Sequence, residues 1–245
     1  MQMTQKLRIG VVGCGGFSLH FVRYWLEVAE VVALCDVNEE NMASLAKEYG
    51  LCVPRYVDWR QLFDAGGMDA VVIMTGNDTH ASIAIAAAEA GLHVFCEKAM
   101  ARTVRECWQM VEICEQQRVK LMIGHKRRLR PPWKRMIELT DIDLLGEALA
   151  ITVCQYCDRR AYAFFERWWG SAEKVGGCLH LQGVHVVDWF RAMCGDAASV
   201  TANYGPQQDV RYQLPDLCHT TFQFKTGALA SINSSLSYPL HQFRE

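Results

Sequence analysis

Short unbroken apolar runs alternate with longer stretches in which apolar residues recur every three or four positions. LRIGVV (7–12) is too short for a helix and ends at glycine, so it predicts a strand buried on both faces. From Phe17 to Val28 the period changes: Phe17, Phe21, Tyr24, Trp25 and Val28 fall at helical spacing. VVALC (31–35) predicts a second strand, and NEENMASLAKEYG (38–50) a helix closed by a glycine cap. After a short segment near CVPRY (52–56), DAVVIM (69–74) is strand-like; the next helix begins near Asp78 or Thr79 and runs to Gly91. HVFC (93–96) is another strand. Thr103 and Glu106 then form a capping box ahead of a helix bearing Trp108, Val111 and Cys114, and KLMIG (120–124) is a sixth strand. Uniformly apolar strands separated by helix-length segments predict an α/β domain with a parallel sheet covered on both faces.

The pattern changes in the second half. EALAITVCQYC (147–157) has strand character, and after the Gly176-Gly177 pair a helix runs through CLHLQGVHVVDWFRAM (178–193). SVTANY (199–204), LCHTTFQF (217–224) and ALASINSSL (228–236) predict successive antiparallel strands. The expected organisation is a doubly wound domain over 1–125, followed by an α+β domain over 126–245 with an open, mainly antiparallel sheet.

Composition narrows the class of protein. At 51% hydrophobic residues the chain is not a disordered one, and a formal charge of −2 gives no general attraction for nucleic acid or anionic membrane. Eleven cysteines lie singly in apolar segments (Cys14, Cys35, Cys96, Cys107, Cys114), which predicts buried thiols in a reducing compartment rather than disulfides. Cys154 and Cys157 form an isolated C-x-x-C without a second pair, so no metal site is expected. MQMTQKLRIG lacks the features of a signal peptide. No window reaches the ~18 uncharged apolar residues of a membrane span, so a soluble, cytoplasmic protein is expected.

Candidate chemistry follows from the sheet. Parallel sheets bind ligands outside the carboxyl ends of their strands. Glu97 and Lys98 end HVFCEK there, and GCGGFS (13–18) joins the first strand to the first helix. In a dinucleotide-binding turn, Gly13 would allow the sharp bend and Gly15 a close approach of backbone to a pyrophosphate. The third position is Ser18 rather than glycine or alanine. Gly16 and Phe17 open the helix, whose amino end favours phosphate. Asp36, at the end of the second strand, stands where a carboxylate accepts the ribose hydroxyls of NAD and repels the extra phosphate of NADP.

Together GCGGFS, CDVN (35–38), TGNDTH (75–80), EAGLHVFCEKAMA (89–101), GHKRR (124–128) and GGCLHLQGVHVVD (176–188) resemble the glucose–fructose oxidoreductase / inositol dehydrogenase (Gfo/Idh/MocA) family. The resemblance implies an NAD- or NADP-binding amino-terminal domain. It also implies reversible oxidation of a sugar or cyclitol hydroxyl, with hydride passing to nicotinamide. Lys98 matches the family's catalytic lysine and Glu97 a residue near the nicotinamide ribose. An amine beside a cationic ring and partly out of water gives up its proton more readily, which suits a proton shuttle. Thr75, Asn77 and His80 join the cofactor set, although His80 also fits a capping turn. His185 matches the catalytic histidine.

Leu181 departs from the pattern, because many family members place an aspartate four residues before that histidine. Three readings stay open. Lys98 and His185 suffice, with Gln182, His180 or Asp188 making up the relay; or the pocket is retuned to another substrate such as a nucleotide sugar; or cofactor binds without turnover. The basic run HKRRLR (125–130) reads as substrate or phosphate contact through Lys126, Arg127 or Arg128, as a solvated face, or as a nucleic-acid patch. Trp169, in FFERWWG (164–170), completes the expected substrate set of Lys98, Arg127, Arg128, Trp169, Gln182 and His185. The family continues beyond the position of Glu245, so strands of the second sheet are expected to be missing. Exposed sheet edges favour a homodimer or higher homo-oligomer.

Overall fold

The computed structural model describes residues 6–141, 144, 146–159 and 168–238. Its contacts divide the chain into two compact units, one ending at Gly124 and the other beginning at His125.

The first unit alternates strand and helix: β1 (Leu7–Val12), α1 (Gly16–Val28), β2 (Ala29–Cys35), α2 (Glu39–Tyr49), β3 (Arg55–Tyr56), α3 (Trp59–Ala65), β4 (Ala70–Ile73), α4 (Asn77–Glu89), β5 (His93–Cys96), α5 (Val104–Gln116) and β6 (Leu121–Ile123). All pairings are parallel, in the order β3-β2-β1-β4-β5-β6. Successive side chains of a strand point to opposite faces, so the apolar runs feed two cores. Val12, Val71, Ile73, Val94 and Cys96 pack on one face with α4 and α5 residues such as Ala84 and Met110. Val11, Val31, Leu34 and Val72 pack on the other with Val22, Met42 and Leu45.

Local chemistry sets the helix ends. Asn38 caps α2 by accepting from Glu40 N (2.9 Å), and Gly50 closes it at φ 64°. Thr103 and Glu106 form both bonds of the capping box on α5. The sequence pattern misses α3, a seven-residue helix capped by Asp58 and too short to display a period. It also starts α4 late: the helix begins at Asn77, capped by Gly76.

The second unit opens with a 3-10 turn (Lys126–Leu129) and α6 (Pro131–Asp141). Neither is among the expected elements, although Trp133, Met136 and Ile137 of α6 fall at helical spacing behind the two prolines. Proline is well placed in a helix's first turn, where its missing N–H costs nothing. The unit continues with β7 (Ala150–Tyr156), a 3-10 turn (Trp168–Gly170), α7 (Ala172–Val175), a π-helical turn (Leu179–Gly183), α8 (Val184–Cys194), β8 (Ala197–Tyr204), β9 (Leu217–Phe224) and β10 (Leu229–Ser235). Phe164, Phe165, Glu166 and Arg167 of the FFERWWG segment lie outside the described residues. The sheet order is β7-β10-β9-β8, antiparallel except for the β10–β7 pair. One face is covered: Val186, Trp189 and Phe190 of α8 bury Phe222, Phe224, Ala230 and Ile232. Phe190 is fully buried and meets Phe222 edge-on, with ring centroids 5.7 Å apart. Along β8 every residue is exposed. Among the described residues, no helix is long and apolar enough to cross a membrane.

Phe190 carries the α8-on-sheet contact, so Phe190→Ala should lower the stability of the second unit by about 3–5 kcal/mol. Urea unfolding followed by tryptophan fluorescence, with Trp189 next to the lesion, measures it.

Candidate active site on the carboxyl edge of the first sheet

Glycine at position 13 is dictated by the backbone. Its φ is +91°, and a Cβ there would stand 2.7 Å from the carbonyl carbon and oxygen of Met74. The turn packs this tightly because Gly13 N donates to Cys35 O (2.8 Å) while Met74 N donates to Val12 O (2.8 Å). Ser18, the departure from the fingerprint, is buried and donates its hydroxyl to Gly13 O. A small residue able to satisfy that carbonyl therefore serves the third position. Gly15 and Gly16 meet nothing within 4 Å of an added Cβ, and Gly15 caps the 13-residue α1 without any side chain. The result is open space over a helix amino terminus, the setting in which backbone amides receive phosphate. Phe17 follows on the first turn of α1, stacked on Phe21 at 4.2 Å.

Asp36 lies at the end of β2, facing this turn. Its Oδ2 accepts from Cys14 N (2.7 Å), and its Oδ1 accepts from Asn38 N (2.8 Å) and Asn41 Nδ2 (3.3 Å). The carboxylate is thus aimed by three donors, of which Asn41 is a residue the sequence pattern did not single out. Burial and then Asp36 push the Cys14 thiol up to about 12. The same two causes raise Cys35 to about 12, so both behave as protonated packing groups.

The end of β4 supplies Thr75 and Asn77. Thr79 Oγ1 donates to Thr75 Oγ1 (2.8 Å), fixing the turn. The Asn77 Nδ2 is buried and has no hydrogen-bond partner among the described residues. An orphaned amide donor at the mouth of a helix is a place for a ligand acceptor. His80, expected in the cofactor set, is fully buried with both ring nitrogens on backbone carbonyls: Nδ1 to Ala99 O (2.8 Å) and Nε2 to Thr75 O (3.2 Å).

Glu97 and Lys98 follow β5. Glu97 is buried, its carboxylate accepting from Lys98 N (3.2 Å), and Lys98 is half-buried. The Lys98–Ala99 peptide is cis. Gly124, after β6, leaves room for that carboxylate, because a Cβ there would sit 3.1 Å from Glu97 Cδ and Oε1.

The second unit gathers a different set. His185 is buried on the first turn of α8, its ring edge-on to His125 with centroids 6.4 Å apart. His125 Nδ1 lies 3.9 Å from Asp188 Oδ1, and Arg128 grips that carboxylate through Nε (2.8 Å to Oδ2) and a terminal nitrogen on Oδ1. Arg128 and Asp188, each a candidate for work on substrate, are therefore each other's partners. His125 was not among the expected site residues, although it lies within GHKRR and heads the basic run that follows β6. Arg127, with the Gln155 amide oxygen turned towards it, donates to that oxygen at 2.9 and 3.2 Å. Burial, and after it Arg130, holds the Arg127 guanidinium below its usual range. Gln182 is half-buried on the π turn and Trp169 half-buried against Trp168.

Leu181 has a packing explanation. It is buried among Val175, Cys178, Tyr212, Cys218 and Leu236. A carboxylate in that cluster would lose its hydration to apolar neighbours, a cost that leucine avoids.

A parallel sheet in this order, with a glycine turn after β1, an acid after β2 and an uncapped helix amino end between them, is a dinucleotide-binding Rossmann domain. Its glycine cradle and orphaned amide fit such a ligand. Residues 7–125 match the model of the "Oxidoreductase family, NAD-binding Rossmann fold", and residues 133–244 match that of the "GFO/IDH/MocA C-terminal domain". The chain belongs to the Gfo/Idh/MocA family of oxidoreductases. It is 27% identical to the D-apiose dehydrogenase of Rhizobium rhizogenes, over 82% of this chain and 58% of that protein. It is 30% identical to the levoglucosan dehydrogenase of Pseudarthrobacter phenanthrenivorans, over 81% of this chain and 54% of that one. The chain spans about half the length of the curated relatives it matches. Among solved structures, the WlbA dehydrogenase of Bordetella pertussis, in complex with NADH and UDP-GlcNAcA, superposes with a TM-score of 0.86. The identity is 29%, covering 96% of this chain and 72% of that one.

Two glycines in one turn should respond differently. Gly13→Ala should destabilise the first unit by about 1–3 kcal/mol, because a strained φ is combined with a backbone clash. Gly15→Ala, at φ −69°, should change stability by less than about 0.5 kcal/mol yet weaken NADH binding. Thermal unfolding and NADH fluorescence titration separate the two effects. Leu181→Asp should lower stability by about 3–5 kcal/mol, by placing an unpaired charge in the apolar cluster; urea unfolding at pH 7 reads it.

Proposed function

We propose that the chain acts as an NAD-dependent oxidoreductase, moving hydride between a nicotinamide and a carbon bearing a hydroxyl in a sugar or cyclitol. The observation that carries this reading is Lys98. It is half-buried at the end of β5, on the same sheet edge as the Gly13 turn and Asp36. Relatives named for D-apiose, levoglucosan and inositol support the substrate class. Asp36 supports NAD over NADP, since a carboxylate held by three backbone and side-chain donors repels a second phosphate.

When bound, the oxidised nicotinamide supplies the hydride acceptor. Lys98, as a neutral amine, takes the hydroxyl proton while hydride leaves the carbon, so the alcohol becomes a carbonyl and the amine an ammonium. Glu97, buried against Gly124, orients the groups around that amine. His185 anchors the substrate or relays its proton. Asp188, locked to Arg128, holds the second unit's charged cluster in place. The second reading, cofactor binding without turnover, is favoured by one observation: Leu181 puts an apolar group where the family often has an acid.

Purified protein is titrated with NADH and NADPH and then assayed on a panel of aldoses, anhydrosugars and cyclitols. Tighter binding of NADH is expected. Lys98→Met should lower turnover by about 100-fold or more with the NADH Kd nearly unchanged. Turnover that survives in Lys98→Met removes the lysine from its role, and tight NADH binding without turnover on any of the panel supports the second reading.

A further inference from the structure

Between the turns that follow β4 and β5 sits a fully buried imidazole that the proposed chemistry does not use. His80, on the first turn of α4, directs Nδ1 to Ala99 O at 2.8 Å and Nε2 to Thr75 O at 3.2 Å. Thr75 belongs to the turn expected to meet cofactor, and Ala99 directly follows Lys98. We infer that His80 is a positioning residue for Lys98: as the Nδ1–H tautomer it donates to Ala99 O and ties the lysine's turn to the amino end of α4. Its consequence for turnover rests on the reading of Lys98 given above.

The geometry argues against plain space-filling. A buried apolar side chain would fill the same volume but offer Ala99 O no donor, whereas the imidazole reaches the backbone of a segment 19 residues away. Burial holds the His80 ring below its ordinary protonation range, outweighing the two carbonyls, so one N–H is available. The shorter contact assigns that hydrogen to Nδ1. The nitrogen Nε2 then faces Thr75 O without a proton, and two acceptors make no hydrogen bond, so the tie from His80 is the one to Ala99 O. The turn is otherwise held along the ladder, where Glu97 N donates to Ile73 O (3.0 Å), and from within, where Lys98 N donates to Glu97 Oε2. His80 adds a tie from a separate helix, at the residue next to the amine. A reacting group displaced by about 1 Å can lose about 100-fold in rate, so such a tie bears on turnover more than on cofactor affinity.

The tautomer is read directly from long-range nitrogen–proton correlation spectra of the wild-type chain: a protonated Nδ1 is expected, and a proton on Nε2 overturns the proposal. Side-chain amides then separate the two ring positions. Asparagine places its nitrogen near Nδ1, glutamine near Nε2, and phenylalanine keeps the ring without either. Exchange of the Lys98 amide hydrogen should stay within about threefold of wild type in His80→Asn and rise at least about tenfold in His80→Gln and His80→Phe. On any sugar or cyclitol that the wild type oxidises, kcat should follow the same order, falling about tenfold or more in the Gln and Phe variants with NADH Kd little changed. Equal exchange in the Asn and Gln variants overturns the proposal. The spectra and the exchange need no substrate, so an inactive wild type counts against the functional reading alone and leaves the His80 assignment to be decided by these two measurements.

Discussion

The hydrogen-bond ladder of the first sheet runs one rung past its strands, and those last rungs hold every loop that carries chemistry in that unit. Gly13 N reaches Cys35 O, Met74 N reaches Val12 O, Glu97 N reaches Ile73 O and Gly124 N reaches Cys96 O. Each bond takes the first residue of a loop and sets it level with its neighbour's strand end. Because the pairing is parallel, all these loops leave from one edge. The cradle at Gly15, the carboxylate of Asp36, the orphaned amide of Asn77 and the amine of Lys98 share that edge for this reason alone. A slip of one residue in any strand would send its loop residue to the other face.

Close packing against the glycine backbone then decides which residue types the edge tolerates. Gly13 lies against Met74, and Gly124 lies against the Glu97 carboxylate. Ser18 closes the carbonyl of Gly13, and Asn41 helps aim Asp36. These contacts cost side-chain freedom and volume, and in return the polar groups of the edge are pointed rather than merely present.

The second unit separates its polar and apolar groups. His125, Arg128 and Asp188 form a polar cluster beside the buried His185. Leu181, only four residues before that histidine, belongs instead to an apolar cluster with Tyr212 and Leu236. A π-helical turn covers Leu179–Gly183, so side chains that an ordinary helix would stack one above another are spread around the axis before α8 begins. Leu181 therefore reads as part of a core as well as a departure from a catalytic pattern.

The parallel sheet, the caps at Gly50 and Thr103, the glycine turn and the family were all legible in the sequence, because each rests on a local period or a short spacing. The strands LCHTTFQF and ALASINSSL were legible too, through alternation along β9 and β10. Helix α3 was not, since seven residues show no period; α6 was not among the expected elements, although Trp133, Met136 and Ile137 carry a helical period behind a proline start. Nor could the sequence tell that His80 reaches the backbone of Ala99, that Arg128 and Asp188 pair, that Asn41 reaches Asp36 or that Leu181 is packed against Tyr212. By itself, then, the chain's order of residues determined the elements and the kind of ligand edge they build. Which polar side chains stand open on that edge, and which are already bound to one another, was decided only by the tertiary structure, because hydrogen-bond partners are set by proximity in space that no local period encodes.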